Sequence, residues 1–445
     1  MARINSNIPS LNAQSQLGKT NQELELRLQR LSTGLRINRG ADDPAGLIIS
    51  ERIRSDLEGI SQGIRNGERA SSVIATTESG LAEVNDLLNS IRSLIVEAAN
   101  SGANSEAERN ANQLQIDSAI DSITRIANTA SFGGLKLLDG SRDYTVSGVQ
   151  ASAISKAEIR GASFNDGTAI DVEVDVLASA QTGALFLNGN ITPVTGELAS
   201  SVTLEVRGPD GVTVLSFLSG QTLDNIVLNI NKQTALTGVS AELINGNANS
   251  GLVLRSTDYG SDAFVSVTRL DKPNPSSLDG WTMFRLPEDA PVPTPFDWTD
   301  PALSESERDA GRDVSALING QLATGSGLNV SVNSSNLSLE LLLNADLATD
   351  PTATATSFSI NSGGALFQLG PEITPNQQVN VGVRSVAASR LGGTLIDGEL
   401  QFLTTLKSGQ GNSIRESAAR GSFNAASEVL ETAIDEVSIM RGRLG

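Results

Sequence analysis

A heptad ladder runs through the stretch Ala41–Ala99 and narrows the possible folds more than any other feature. Ile53, Ile60, Ile74, Leu81, Leu88 and Ile95 recur at multiples of seven, with Gly67 in the remaining slot. A companion column accompanies it: Leu57 and Ile64 lie four residues after ladder positions, and Val84, Ile91 and Ala98 lie three after. A seam this narrow predicts one very long helix with a coiled-coil-like face. At the rise of an α-helix the stretch would span about 80 Å. That length suits a rod, bundle or filament better than a single globular core.

Both ends of the chain repeat the pattern. In residues 1–35, Leu17, Leu24 and Leu31 are seven apart, and Leu28 and Leu35 fill the companion column. Near the other end, Phe423, Leu430, Val437 and Leu444 are seven apart, accompanied by Ala426, Ala433 and Met440. A third helix is expected after the turn at 100–105. Ser105 with Glu108 fits a capping box, and Ile116, Ile120, Ile123, Ala127 and Ala130 form its apolar face. The turn is short, so this helix should lie antiparallel to the long one. Together these columns form the expected assembly seam. Each is equally well read as bundle core or as a surface between subunits.

The middle of the chain is of another kind. From about 141 to 395 it carries short β-branched runs such as Val202–Arg207, Val212–Phe217 and Leu337–Leu343, separated by Gly, Asn and Asp. A short helix is expected around 222–233. Residues 272–301 are rich in proline and read as a linker or wrapping loop. The expected fold is therefore α+β and multidomain: long antiparallel heptad helices forming a rod, with a β-rich insertion forming outer domains. The divisions fall at 1–40, 41–140, 141–365 (one or two domains) and 366–445.

Composition removes several function classes. The chain has 445 residues, which suggests roughly two to four domains. Histidine and cysteine are both absent, so no Ser-His-Asp or Cys-His nucleophile and no Cys/His zinc site can be built. The chain reads as a non-enzyme without a cofactor. A net charge of −19 argues against nucleic acid and anionic membranes as partners. No apolar run is long enough to span a bilayer, and the amino terminus carries no secretory signal. At Asp42-Asp43-Pro44, Asp43 reads as a helix N-cap followed by proline at the first helical position. The alternative is that the two carboxylates bind a divalent cation.

These residues carry a resemblance to the bacterial flagellins. The runs Ile4–Ile8, Leu28–Asn38, Ala41–Gly46 and Thr129–Leu137 resemble flagellin's amino-terminal third. Asp224–Ser256 resembles an insertion module found in many flagellins, Phe367–Val381 a hairpin re-entering the rod, and Ala433–Gly445 the start of the carboxy-terminal rod helix. The resemblance implies an inner-tube helix, a rod domain and solvent-facing outer domains. It also implies a subunit that polymerises with copies of itself into the flagellar filament for motility. Further implications are export through a type III channel, a dedicated export chaperone, hook-associated proteins as neighbours, an extracellular location and possible O-glycans on outer loops.

Two departures qualify this. Flagellins continue for several tens of residues past the position of Gly445, so the first helix is expected to lack its partner and this chain alone to polymerise poorly. Some flagellins activate an innate immune receptor through a patch on the long helix. There Leu94 matches, but Ser90 stands where an arginine supplies a planar, bidentate contact. Weak receptor activation follows as an expectation. A hook–filament junction protein, which shares the terminal helices, is the alternative reading, and copy number separates the two. Asn190, Asn329 and Asn336 open N-glycosylation triplets, which in a bacterial chain read as ordinary turn and strand residues.

Overall fold

The computed structural model describes residues 7–100, 102–164, 168–187, 196–198, 200–271, 282–290, 292–334, 336–350, 352, 354–396 and 398–445. They divide into two compact units, one from residues 1–70 with 367–378 and the other from 71–366 with 379–445.

The first unit contains helix α1 (Ile8–Thr33), the beginning of helix α2 (Pro44–Ala99) and the hairpin at 367–378. Pro9 falls in the first turn of α1, where its missing N–H costs nothing. The helix stops at Gly34, which takes the left-handed conformation at φ +67°. Leu35 therefore lies beyond α1 and cannot extend its companion column. The long helix begins at Pro44, the first helical position that the Asp43-Pro44 pair marks in the sequence. Asp43 caps it, its Oδ1 accepting the Gly46 amide at 2.9 Å. Asp42 accepts the amides of Asn38 and Arg39 at 3.0 and 3.1 Å. Both carboxylates of the pair thus serve the backbone. The hairpin approaches α2 where side chains are missing. A Cβ on Gly59 would lie 2.7 Å from Pro371, and one on Gly63 would lie 2.6 Å from the Leu369 carbonyl. Asn66 Nδ2 donates to the Gln368 carbonyl at 3.1 Å.

The second unit holds a three-helix bundle and two β modules. In the bundle, the rest of α2 packs with α3 (Glu106–Thr129) and with a carboxy-terminal helix at 424–444. Ser105 and Glu108 form the capping box that starts α3. Gly80 lets Leu138 lie over α2, since a Cβ there would come within 2.8 Å of it. Gln113 is buried and pins the returning chain: its Nε2 donates to the Leu406 carbonyl and its Oε1 accepts the Ile414 amide.

Both β modules are antiparallel. In the first, the sheet ordered 321–322, 315–318, 170–178, 356–363, 144–147 shares a core with the sheet ordered 324–326, 329–333, 337–343, 154–162. Strand Leu337–Leu343 shows the alternation that builds such a core: Leu337, Leu339, Leu341 and Leu343 are buried, and the residues between them less so. The second module is inserted between strands 170–178 and 315–318 of the first, and has its own core around Leu185, Leu204, Val206, Ile226, Leu254 and Val267. It contains helix α4 (Leu223–Asn231), close to the expected span. After the modules come α5 (Ile414–Arg420), which the sequence reading missed, and α6 (Asn424–Leu444).

Of the two readings of the proline-rich stretch, linker or wrapping loop, its described residues fit the second, packing Phe284, Phe296 and Trp298 on the second module. Met283–Arg285 pairs with strand Ala184–Leu187, and the Phe296 ring stacks on Phe186 at 5.3 Å. Residues 272–281 and 291 of that stretch, the Asn190 triplet and residues 1–6 lie outside the described residues.

Candidate assembly surface

The heptad columns meet two environments. On α2, Leu81, Val84, Leu88, Ile91, Ile95 and Ala98 are buried. They face Ile116, Ile120 and Ile123 of α3 and Leu430, Val437 and Met440 of α6, also buried, with Leu444 partly buried at the helix end. The ion pairs Arg92–Glu431 (3.3 Å) and Glu78–Arg441 (3.9 Å) show α6 running antiparallel to α2. Ile74, on the same ladder, is partly buried. Ser90 is exposed, its hydroxyl donating to the Asp86 carbonyl, and Leu94 packs at the edge of the bundle core.

The first unit is different. Ile53, Leu57, Ile60 and Ile64 are 46–59% exposed, and Leu17, Leu24, Leu28 and Leu31 on α1 are 54–82% exposed. Helix α1 has no buried residue. A helix of this kind is marginal in water without a partner face. Complete burial of one Leu or Ile contributes about 1.5–3 kcal/mol, so these eight half-exposed side chains leave on the order of 10 kcal/mol gross to be gained by covering them. Stripes of this size mark interaction surfaces.

An ion network joins the first β module to the bundle. Lys156 and Glu158 on strand Ile154–Ala162, Arg384 just after strand Gln378–Val381 and Glu436 on α6 form one largely buried ion network. Lys156 bridges Glu158 (2.9 Å) and Glu436, while Arg384 pairs with Glu158 and reaches Glu436 at 3.8 Å. Glu436 also accepts the Gly392 amide at 3.0 Å. Burial pulls Lys156 down, but Glu436 and Glu158 outweigh it and hold the ammonium above its usual range. Burial likewise opposes ionisation of Glu158, and Arg384 and Lys156 overcome it. Gly392 makes the close approach possible. It sits at φ +78°, where a Cβ would lie 2.5 Å from the Val429 carbonyl. The sequence offered no sign of this network, because its members come from three distant segments and share no spacing.

Among the described residues no group of three or more His, Cys, Asp or Glu could hold a metal ion, and no helix is long and apolar enough to cross a membrane. Asn329 lies on a strand and Asn336 just before one.

Comparison with known proteins agrees with the helical and inserted regions. The family described as "Bacterial flagellin N-terminal helical region" matches residues 4–143, and that described as "Flagellin hook IN motif" matches residues 203–258. The polar flagellin F of Vibrio parahaemolyticus is 30% identical over 290 residues, covering 61% of this chain and 72% of that protein. The flagellar filament 30.7 kDa core protein of Treponema maltophilum is 30% identical, covering 53% of this chain and 75% of that one. The B-type flagellin of Pseudomonas aeruginosa is 40% identical over 156 residues, but the chain spans only 32% of its length. Among solved structures, FliC from Burkholderia pseudomallei aligns at 15% identity with a TM-score of 0.25, covering 84% of this chain and 97% of that one. That likeness carries no weight here. The sequence relatives suffice, and the chain belongs to the bacterial flagellin family.

Proposed function

We propose that this protein is the structural subunit that polymerises into the bacterial flagellar filament, outside the cell. The observation that carries the reading is the pair of exposed apolar stripes on α1 and on the start of α2, alongside a β-rich region with closed cores of its own. Copies of the same chain cover those stripes in the polymer. Other flagellin subunits are thus its principal partner, with an export chaperone and hook-associated proteins as further partners by family resemblance. The role is mechanical rather than catalytic. Deleting the gene should leave cells without filaments in electron micrographs of sheared preparations, and restoring it at full length should bring them back. Normal filaments in the deletion strain would refute the reading.

A further inference from the structure

The chain passes between the two β modules twice, outward after strand 170–178 and back before strand 315–318, and the two passages pair at Gln181 and Arg312. Gln181 donates its amide to the Arg312 carbonyl at 2.9 Å, and the Arg312 amide returns the bond at 3.0 Å. Gly311 leaves no room for a side chain between them, since a Cβ there would come within 2.2 Å of the Gln181 carbonyl oxygen. The modules keep separate cores. Two strands joining such modules would by themselves form a hinge, because relative motion is the default across a slender connection. Here the side chains of two consecutive residues, Arg312 and Asp313, tie the crossing to both modules.

The Arg312 guanidinium carries five N–H donors and makes five hydrogen bonds. Nε donates to the Ser179 carbonyl at 2.9 Å and Nη2 to the Ser179 hydroxyl at 2.7 Å, where the outward passage starts. The fork of Nη1 and Nη2 grips both carboxylate oxygens of Asp289, and Nη1 also reaches Glu288 at 3.1 Å. Asp289 in turn accepts the Ser179 hydroxyl at 2.6 Å and the Gln181 side-chain amide at 2.9 Å. It rests at φ +61°, in the left-handed region that Asp tolerates better than most residues. Glu288 and Asp289 belong to the proline-rich stretch, whose strand Met283–Arg285 is part of the second module. Asp313 makes the complementary tie. Its carboxylate accepts the amide and hydroxyl of Ser261, in the second module, at 3.1 and 2.6 Å. It also accepts the amide of Gly327, in a turn of the first module, at 2.7 Å. Tyr259, two residues before Ser261, packs against the core of the first module.

We infer that this crossing is a locked neck. Arg312 and Asp313 hold the second β module at a fixed angle to the first, and residues 288–289 of the proline-rich stretch are the latch. With the latch released, the same two strands become a hinge. A bidentate arginine–carboxylate pair suits the task, because the planar fork fixes direction as well as adding energy. Solvent screens the pair only in part: the Arg312 side chain is 22% exposed, Asp289 is half exposed and Ser179 is buried. The Lys156–Glu436 network joins the first module to the bundle, and the neck carries that fixing one module further along the chain. The device belongs to the single chain and does not depend on how copies assemble.

Distances between two spin labels test this, and the absence of cysteine makes the labelling specific. Leu322→Cys on the first module and Val214→Cys on the second, both exposed positions, carry one label each. In the full chain the label-to-label distances, read by double electron–electron resonance, should fall in one narrow distribution. Adding Arg312→Gln or Asp289→Asn should widen it about twofold or more, as a fixed strut turns into a hinge. Amide exchange at Val206 and Leu341, in the cores of the two modules, should stay as slow as before. The inference is overturned by a broad distribution when the neck is unaltered, or by an unchanged width in either neck variant. Widening accompanied by faster exchange at Val206 and Leu341 overturns it equally, since the modules themselves would then have loosened.

Discussion

Ile53, Leu57, Ile60 and Ile64 obey the same spacing rule, on the same helix, as Leu81, Leu88 and Ile95. The first group is half exposed and the second fully enclosed. The second group meets α3 and α6, which bring Ile116, Ile120, Ile123, Leu430 and Val437 onto it. In the first unit, what returns along α2 is a hairpin, and it seats on Gly59 and Gly63, not on the apolar column. A heptad column states that a helix wants a partner. Whether the partner lies in the same chain or in another copy depends on what else the chain brings back.

The largest effect should come from the joint between the buried half and the first β module. Glu436→Ala leaves Lys156 and Arg384 sharing Glu158 alone, one largely buried cation in excess, and should cost about 3–5 kcal/mol in denaturant unfolding. A loss no greater than that of a surface substitution would mean the modules are held otherwise. Next, Leu88→Ala opens a cavity in the bundle and should cost about 2–5 kcal/mol. Leu57→Ala, on the same helix, should stay within about 0.5 kcal/mol in the free subunit. Equal costs for the two would erase the distinction between the halves.

Much of the local structure was legible from residues alone. The Ser105–Glu108 box and the Asp43-Pro44 start are side-chain-to-backbone rules that act within a few positions, so they survive folding intact. The alternation along Leu337–Leu343 likewise reports which face is buried. What the sequence hid depends on long-range meetings. Strand Met283–Arg285 exists because Ala184–Leu187 offers an edge for it, against the surrounding prolines. The Lys156–Glu158–Arg384–Glu436 network and Gly392 beneath it need three segments to converge. Leu35 kept the heptad spacing, but Gly34 had already ended the helix.

The account rests on the exposed column being covered by other copies of the chain, and the absence of cysteine makes that directly readable. A cysteine placed as Leu57→Cys, and in a second variant as Val214→Cys on an exposed strand of the second β module, can be titrated with a thiol reagent in the free subunit and in native filaments. Assembly should slow labelling at position 57 by about tenfold or more and leave position 214 nearly unchanged. Equal labelling of position 57 in subunit and filament would contradict the account.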